Sequence, residues 1–277
     1  MSLVHYRHSR VWLALYSIFV VGVLLISARI SAGQSNQHLT PAQVEIEKQR
    51  QRLSSADEEE RRDAVMKLMA MHLPAAAQAS GLALTDASPK VRAVAAKAAL
   101  GLGTEESVSA LIPLANDKDE FVRREVMYAL GFTHSRNATQ PLVQHLMNDK
   151  EPGVRGAAAV ALGELVDAAA VVPLANTLAP NLSAPAKGEK RPKRETNPFV
   201  LRAVAIALGR IRSRAGTPAL IATVTNDKLD SDIRREAARA LGTIGDQTAT
   251  AALQTVVTAS DPYLSRIAQE SLRKLNP

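Results

Sequence analysis

Five arginines occupy the same place in a sequence pattern that recurs along this chain of 277 residues: Arg62, Arg124, Arg202, Arg235 and Arg266. A guanidinium carries several donors in a planar fork that matches a carboxylate or a phosphate. If these side chains lie on one surface, they form a row that binds an acidic peptide, an acidic protein or another polyanion. The alternative is that they simply solvate an exposed helical face.

Further residues extend this predicted binding surface. Phe121, Tyr128 and Tyr263 fall among the charges, and aromatic side chains often contribute much of the free energy of binding. Arg239 adds charge to the carboxy-terminal part of the row, which is the more positive part. Acidic residues that follow Arg62, Arg124 and Arg235 directly neutralise the row in part: Asp63, Glu125 and Glu236.

Residues with catalytic or metal-binding chemistry are scarce. The chain has no cysteine, which excludes disulfides, thiolate metal sites and cysteine nucleophiles. None of its six histidines is followed by glutamate, and no nucleophile elbow, P-loop or dinucleotide fingerprint is present. We predict that His72 and His134 are surface or capping residues at helix ends. The sequence therefore predicts no enzyme, no metal and no cofactor.

The arginines belong to an internal repeat. Ala-Leu-Gly occurs five times, at residues 99–101, 129–131, 161–163, 207–209 and 240–242. Seven residues before this leucine is a position that we call the key position. It can be identified in seven copies: Arg61, Arg92, Arg123, Arg155, Leu201, Arg234 and Ser265. In the copy with Arg92 the alignment is shifted by one residue. The spacing is 31 to 33 residues, except for one step of 46, which indicates an insertion. Such regularity is typical of repeat architectures.

Each copy has the pattern of a helix. Four positions before the key position, six copies have a residue that suits a helix N-cap: Asp57, Ser88, Asp119, Asn197, Asp230 and Asp261. The remaining copy has Glu151 there. Apolar residues then follow at helical spacing, and glycine is predicted to end the helix. A shorter amphipathic helix precedes each of these, and in three copies Pro141, Pro173 and Pro218 are predicted to start it.

One helix pair cannot cover its own apolar face, so neighbouring pairs must stack. The sequence predicts an all-α solenoid of about seven helix pairs over residues 41–277. The first pair begins with Thr40 as the cap and Pro41 as the first helical residue. The arginines at the key position are predicted to hold turns together, with Asp86, Asp117 and Asp149 as partners.

The pattern Asp…Val-Arg…Ala…Ala-Leu-Gly resembles the HEAT-like repeats of the short variety found in phycobilisome lyases, and it covers roughly residues 41–277. That resemblance implies an α-α superhelix whose second helices line the concave surface, where the arginine row would lie. Proteins with such repeats include lyases, hydroxylases, DNA-repair enzymes and scaffolds. Repair glycosylases of this kind use aromatic residues around an extruded nucleotide. The only tryptophan here, Trp12, lies in a hydrophobic segment, so we do not expect nucleic acid as a partner.

The amino terminus has the features of a membrane anchor. An uncharged run of 18 residues begins at Val11 and ends at Ala28, close to the length that spans a bilayer. Basic residues precede it, which favours a cytoplasmic amino terminus. Residues 1–33 are predicted to be a signal-anchor and residues 34–40 a polar tether. The solenoid would then lie outside the cytoplasm, in the periplasm if the cell is bacterial; the alternative is secretion after cleavage near Ala32.

The long step in the repeat corresponds to residues 179–198, a predicted exposed insertion rich in proline and charge. Five basic residues cluster in it: Lys187, Lys190, Arg191, Lys193 and Arg194. Contact with anionic lipid or with a polyanion is one interpretation, and a solvated loop is the other.

The function predicted from these features is a non-catalytic, membrane-tethered scaffold that binds a protein with an acidic surface. One alternative is a lyase-like protein that holds a tetrapyrrole, as the family resemblance implies. The other alternative is polyanion binding through the insertion and the basic segment from Lys187 to Lys274, which carries the whole excess charge of +7. The oligomeric state stays open.

Overall fold

The computed structural model describes residues 39–179 and 195–275. This part of the chain contains fourteen α-helices and no β-strand. The chain divides into two units, residues 1–45 and 46–277. In the first unit, a reciprocal pair of hydrogen bonds starts the first helix: the Gln43 amide donates to Thr40 Oγ1, and the Thr40 amide donates to Gln43 Oε1. This is a capping box, and it confirms the predicted start at Thr40.

The helices alternate between a first and a second helix of each pair. In chain order they are α1 Pro41–Arg52, α2 Glu58–Ala70, α3 Pro74–Ser80, α4 Pro89–Ala98, α5 Thr104–Leu111, α6 Glu120–Phe132, α7 Thr139–Asn148, α8 Pro152–Leu165, α9 Val171–Leu178, α10 Pro198–Ile211, α11 Thr217–Val224, α12 Ser231–Ile244, α13 Thr250–Val256 and α14 Pro262–Leu275. The seven pairs confirm the predicted number. Pro141, Pro173 and Pro218 lie in the first turns of α7, α9 and α11, but each helix begins one or two residues before its proline, so none of them is the first helical residue as predicted.

Side-chain caps start most of the second helices. Six of the predicted N-cap residues accept a backbone N–H through their side chains, whereas Glu151 does not. Asp119, for example, accepts from the amides of Phe121 and Val122 at 2.9 and 3.2 Å. These bonds satisfy amides that have no partner within the helix. The start of each second helix is therefore specified by local sequence.

The second helices stack in sequence order, from α2 on α4 to α12 on α14. Their buried faces consist of small residues around a leucine that recurs in each repeat, as at Leu130, Leu162, Leu208 and Leu241. Alanine dominates the remaining core, so adjacent helices approach closely. This arrangement confirms the predicted solenoid of stacked helix pairs.

The glycine of Ala-Leu-Gly does not end the helix in four of the five copies, and that prediction was wrong. Gly131 lies one residue before the end of α6, and the other three lie at least two residues before their helix ends. A Cβ at Gly131 would come within 2.7 Å of the Ala161 Cα on the next second helix. Gly163 has the same relation to Ala207, and Gly209 to Ala240. Glycine is present because the stacked backbones leave no room for a side chain.

The residue that actually ends these helices adopts the left-handed conformation. Five positions share it, with φ between 52° and 74°: His72, His134, Val166, Arg212 and Gly245. The exposed His72 and His134 are therefore helix-terminating residues at the surface, as predicted. A left-handed residue after the last turn is a common helix end, and it usually carries glycine.

No helix in the described residues is long and apolar enough to cross a membrane. The predicted membrane segment from Val11 to Ala28 lies outside the residues that the structure describes, as do the five basic residues of the insertion. The last residues of the predicted insertion are part of the fold. Glu195 bonds to Arg155, Asn197 caps α10, and Pro198 is the first residue of that helix.

Candidate binding surface

The arginines at the key position form a ladder that joins successive repeats. In Arg123, Nε and Nη2 donate to the two carboxylate oxygens of Asp149 at 2.8 and 3.0 Å, and Nη1 donates to the Asp117 carbonyl at 2.9 Å. The side chains of this pair are 8% and 4% exposed. We call four pairs with this arrangement the arginine ladder: Arg61–Asp86, Arg92–Asp117, Arg123–Asp149 and Arg155–Glu195. The prediction that these arginines hold turns together is confirmed. Because their guanidinium groups are used in these pairs, they are not available to bind a partner.

The carboxyl groups of the ladder have lowered pKa values. For Asp149, burial acts to raise the pKa, but hydrogen bonds from Arg123, the Glu151 amide and His145 outweigh it and lower the pKa. The pKa of Glu195 is lowered in the same way, against burial, by Arg155 and nearby amides. For Asp86 the hydrogen bond from Arg61 is the largest influence, and it lowers the pKa. The ladder acids are thus held as carboxylates.

The ladder stops after Arg155. At the next step Leu201 replaces the arginine, and Lys228 stands where the acid would be. One repeat later, Arg234 donates to the Val224 carbonyl at 3.1 Å and does not pair with a carboxylate.

Arg235 forms the inter-repeat pair that was expected of Arg234. Its Nε and Nη2 each donate to Asp261 at 2.8 Å. The physical reason is the position of the acid: Ala259 occupies the usual site, and Asp261 comes two residues later, so the arginine one residue further along the helix reaches it. This pair raises the pKa of Arg235 and lowers that of Asp261.

The amino-terminal members of the arginine row are spread over separate helices. Arg62 pairs with Glu59 at 2.7 Å on α2. Arg124 lies over the Phe121 ring on α6, with 5.1 Å from its guanidinium carbon to the ring centroid. Tyr128 is half-buried against the core, so it is a packing residue more than an exposed anchor.

The carboxy-terminal members meet in one depression, which we call the arginine groove. It lies between α10, α12 and α14, has a volume of ≈ 330 Å³, and is lined by Arg202, Asp232, Arg235, Glu236, Arg239, Tyr263, Arg266 and Ile267. Five of the nine predicted binding residues are among them. Four arginines and two acids leave the lining with a net positive charge.

Tyr263 is the centre of this site. It is 57% exposed, and two guanidinium carbons lie near its ring, Arg235 at 5.1 Å and Arg266 at 5.8 Å from the centroid. Cation–π attraction of this kind contributes about 0.5–1 kcal/mol at exposed sites. The aromatic ring and its two arginines therefore form a preorganised surface at the start of α14.

A second depression adjoins the arginine groove and shares Glu236 and Arg239 with it. It lies between α8, α10 and α12, and its lining adds Arg210, which pairs with Glu164, and Arg212. The sequence analysis missed both residues. Arg212 occupies the left-handed helix end, a position that alignment on Ala-Leu-Gly would have marked as exposed. The two depressions extend the basic surface along three second-helix interfaces.

Groups of His, Asp or Glu that could hold a metal ion are not found in the part of the chain that the structure describes.

Comparison with known proteins identifies the repeats. A family model for HEAT repeats matches residues 80–163 and 192–273, together more than half of the chain. No curated protein matches at a significant level.

Solved structures with a similar fold have low sequence identity. An engineered protein is 21% identical, with a TM-score of 0.50, over 84% of this chain and 68% of its own. The complex of CpcE and CpcF of phycocyanin lyase from Nostoc sp. PCC7120 is 22% identical, with a TM-score of 0.47, over 89% and 91%. Human deoxyhypusine hydroxylase in complex with glycerol is 18% identical, with a TM-score of 0.41, over 83% and 96%. At these identities the likeness concerns the fold alone.

Proposed function

Because the chain belongs to the HEAT-repeat family, we propose that it is a non-catalytic scaffold that presents the exposed face of its second helices to a partner protein with an acidic surface. HEAT and armadillo folds generally bind protein partners along such faces. Stacked helices also make a rigid support, since each pair is fixed by its neighbours. The proposal assigns no enzyme activity to the chain.

The observation that carries the proposal is the arginine groove. Structural requirements account for the ladder arginines and for Arg235, which pairs with Asp261, but they do not account for the exposed Tyr263 beside Arg202 and Arg266. Aromatic and arginine residues are the types that dominate binding energy at protein interfaces. The positive lining favours an acidic partner through both affinity and association rate.

Membrane tethering is part of the proposal. The support for it is the uncharged run from Val11 to Ala28 behind a basic amino terminus, which would place the solenoid outside the cytoplasm. In the alternative version, cleavage near Ala32 releases the solenoid as a secreted protein. Protease treatment of cells with an intact cytoplasmic membrane tests the topology: a carboxy-terminal tag should be digested from outside, after removal of any outer membrane.

Crosslinking in native membranes tests the function. We expect the wild-type chain to capture one or a few proteins with acidic surfaces, and a variant with Arg202→Glu and Arg266→Glu to lose them. A variant with Arg136→Glu and Arg214→Glu is the control, because it changes the net charge equally at exposed turns outside the groove. An identical set of captured proteins from both variants would contradict the assigned surface.

Two alternatives are distinguished by simple measurements. A tetrapyrrole-binding protein would co-purify with pigment or bind added bilin, and a colourless preparation that ignores bilin would exclude it. A polyanion-binding protein would show an affinity that falls steeply as salt rises. Its basic insertion, with Lys187, Lys190, Arg191, Lys193 and Arg194, would contribute to that affinity.

A further inference from the structure

We infer that the arginine groove binds an extended acidic segment of the partner, and that Arg202 and Arg266 are the side chains that contact its carboxylates. This inference rests on the proposed function and narrows it. It assigns different roles to arginines that sequence analysis treated as equivalent.

The arginines on α12 are already occupied. The Arg235 guanidinium uses Nε and Nη2 for Asp261 and Nη1 for Asp232 Oδ1 at 2.7 Å. Arg239 Nη1 donates to Glu236 Oε2 at 2.7 Å. A partner carboxylate could engage Arg235 fully only by displacing an existing one, and at Arg239 it would meet a charge that Glu236 already balances. The arginines of α12, which forms the floor of the groove between the walls α10 and α14, are therefore neutralised by acidic residues of this chain.

The arginines on the two walls are less neutralised than those on α12. Arg202 of α10 is exposed and has no ion pair within the described part of the chain. The Arg266 side chain on α14 is 67% exposed, and its ion pair with Glu270 is 3.9 Å long, longer than a hydrogen bond. Both side chains line the groove from opposite sides of α12. They supply most of the positive charge that an acidic ligand would meet.

The floor also selects among acidic ligands. Asp232 and Glu236 line it, and they would repel a ligand whose negative charge is continuous, such as a polyphosphate chain. A polypeptide can place carboxylates at the two walls and uncharged atoms over α12. From α10 to α14 is two helix spacings of roughly 8–10 Å each, and an extended chain covers about 3.3 Å per residue. A segment of about six residues therefore reaches both walls.

Tyr263 gives the segment a fixed contact surface. Arg235 and Arg266 lie over its ring, and its exposed edge borders the groove. Because Arg235 is held by Asp261, it acts as a positioning residue that keeps the ring in place. The ring can then pack against the uncharged part of a bound peptide.

The test is fluorescence anisotropy with the full chain and a fluorescein-labelled peptide decamer that carries glutamates at both ends and uncharged residues at its centre, which is long enough to span both walls. We expect the variant with Arg202→Glu and Arg266→Glu to bind at least tenfold more weakly. The variant with Arg202→Gln and Arg266→Gln should show a smaller loss. The charge-matched control with Arg136→Glu and Arg214→Glu should stay within about twofold of wild type. Circular dichroism of each variant verifies that its helices are intact.

Four results would overturn the inference. An equal loss in the control would mean that the decamer follows net charge and does not use the groove. No loss in the groove variants, or no binding by the wild type, would remove the assigned contacts. Tighter binding of inorganic polyphosphate, with the same dependence on Arg202 and Arg266, would make the groove a polyanion site. The proposed function fails separately, if crosslinking captures no partner protein.

Discussion

The close approach of the second helices at Gly131 leads to the sharpest stability prediction. A Cβ at this position would lie 2.7 Å from the Ala161 Cα and 2.8 Å from its Cβ. Carbon atoms pack best at about 3.5–4.0 Å, so the overlap is about 1 Å. One of the two contacts is to backbone, and a side-chain rotation cannot relieve it. We therefore expect Gly131→Ala to force α6 and α8 apart.

The expected cost combines two opposing effects. Overpacking a well-packed site costs about 1–3 kcal/mol. Alanine is favoured over glycine inside a helix by about 1 kcal/mol. The net loss in the free energy of unfolding should then be about 0–2 kcal/mol, and we expect the upper part of that range because the overlap is partly with backbone. Gly163→Ala and Gly209→Ala should cost progressively less, because their closest contacts are 2.9 and 3.0 Å.

Gly153→Ala is the matched control. Gly153 is another glycine within a helix, in this case α8, but a Cβ there would meet nothing closer than Arg124 Cδ at 3.9 Å. Only the gain in helix propensity remains, so this variant should be as stable as the wild type or slightly more stable.

Urea unfolding followed by far-UV circular dichroism measures these effects. Midpoints and slopes are compared together, because repeats couple mainly to their neighbours and unfolding can depart from two-state behaviour. If Gly131→Ala proved as stable as Gly153→Ala, the glycine would not be explained by close packing. A ranking that does not follow the contact distances would contradict the geometric argument as well.

Three further predictions concern the arginine ladder and the helix ends. Asp149→Asn should cost about 3 kcal/mol or more in urea unfolding, because it leaves the buried Arg123 without its carboxylate, whereas Arg62→Ala should cost under about 1 kcal/mol, as for an exposed pair. The ladder acids have lowered pKa values in the folded state, so they stabilise the fold above their unfolded pKa of about 4, and this stabilisation is lost as pH falls through their folded pKa values. The urea midpoint should therefore drop between about pH 6 and pH 3. The drop should be smaller in the Asp149→Asn variant, which lacks one of these acids. Val166→Gly should raise the free energy of unfolding by about 1 kcal/mol, because a β-branched residue is strained at φ 52°. Gly245→Val should lower the free energy of unfolding. Urea midpoints equal to that of the wild type would show that a β-branched residue is not strained at the left-handed helix end.

Local sequence was sufficient wherever the relevant interaction spans only a few residues. The caps at Asp57 and Asp119 bond amides two and three positions away, and the capping box of Thr40 has the same short range. The repeat spacing then implied the number of helix pairs. The ladder was also predictable in part, because Arg92 and Asp117 recur in step with Arg123 and Asp149.

Two features could not be predicted from the sequence because they depend on packing between repeats. Glycine at a helix end and glycine at a close crossing look alike in sequence, and only the neighbouring backbone at Ala161 distinguishes them. Glu195 was hidden by the insertion that separates it from Arg155 along the chain.

The binding site, too, was specified partly by the sequence and partly by the tertiary structure. Its residue types and their exposure on the second helices followed from sequence periodicity, which determined the fold class, the caps and the candidate arginines. Which arginines remain available was decided by tertiary structure alone. Asp261 lies two residues beyond the usual acid position, so the chain pairs Arg235 and leaves Arg202 and Arg266 exposed around Tyr263. Ion pairs between repeats depend on distances of a few ångströms across stacked helices, and helical periodicity does not specify such distances.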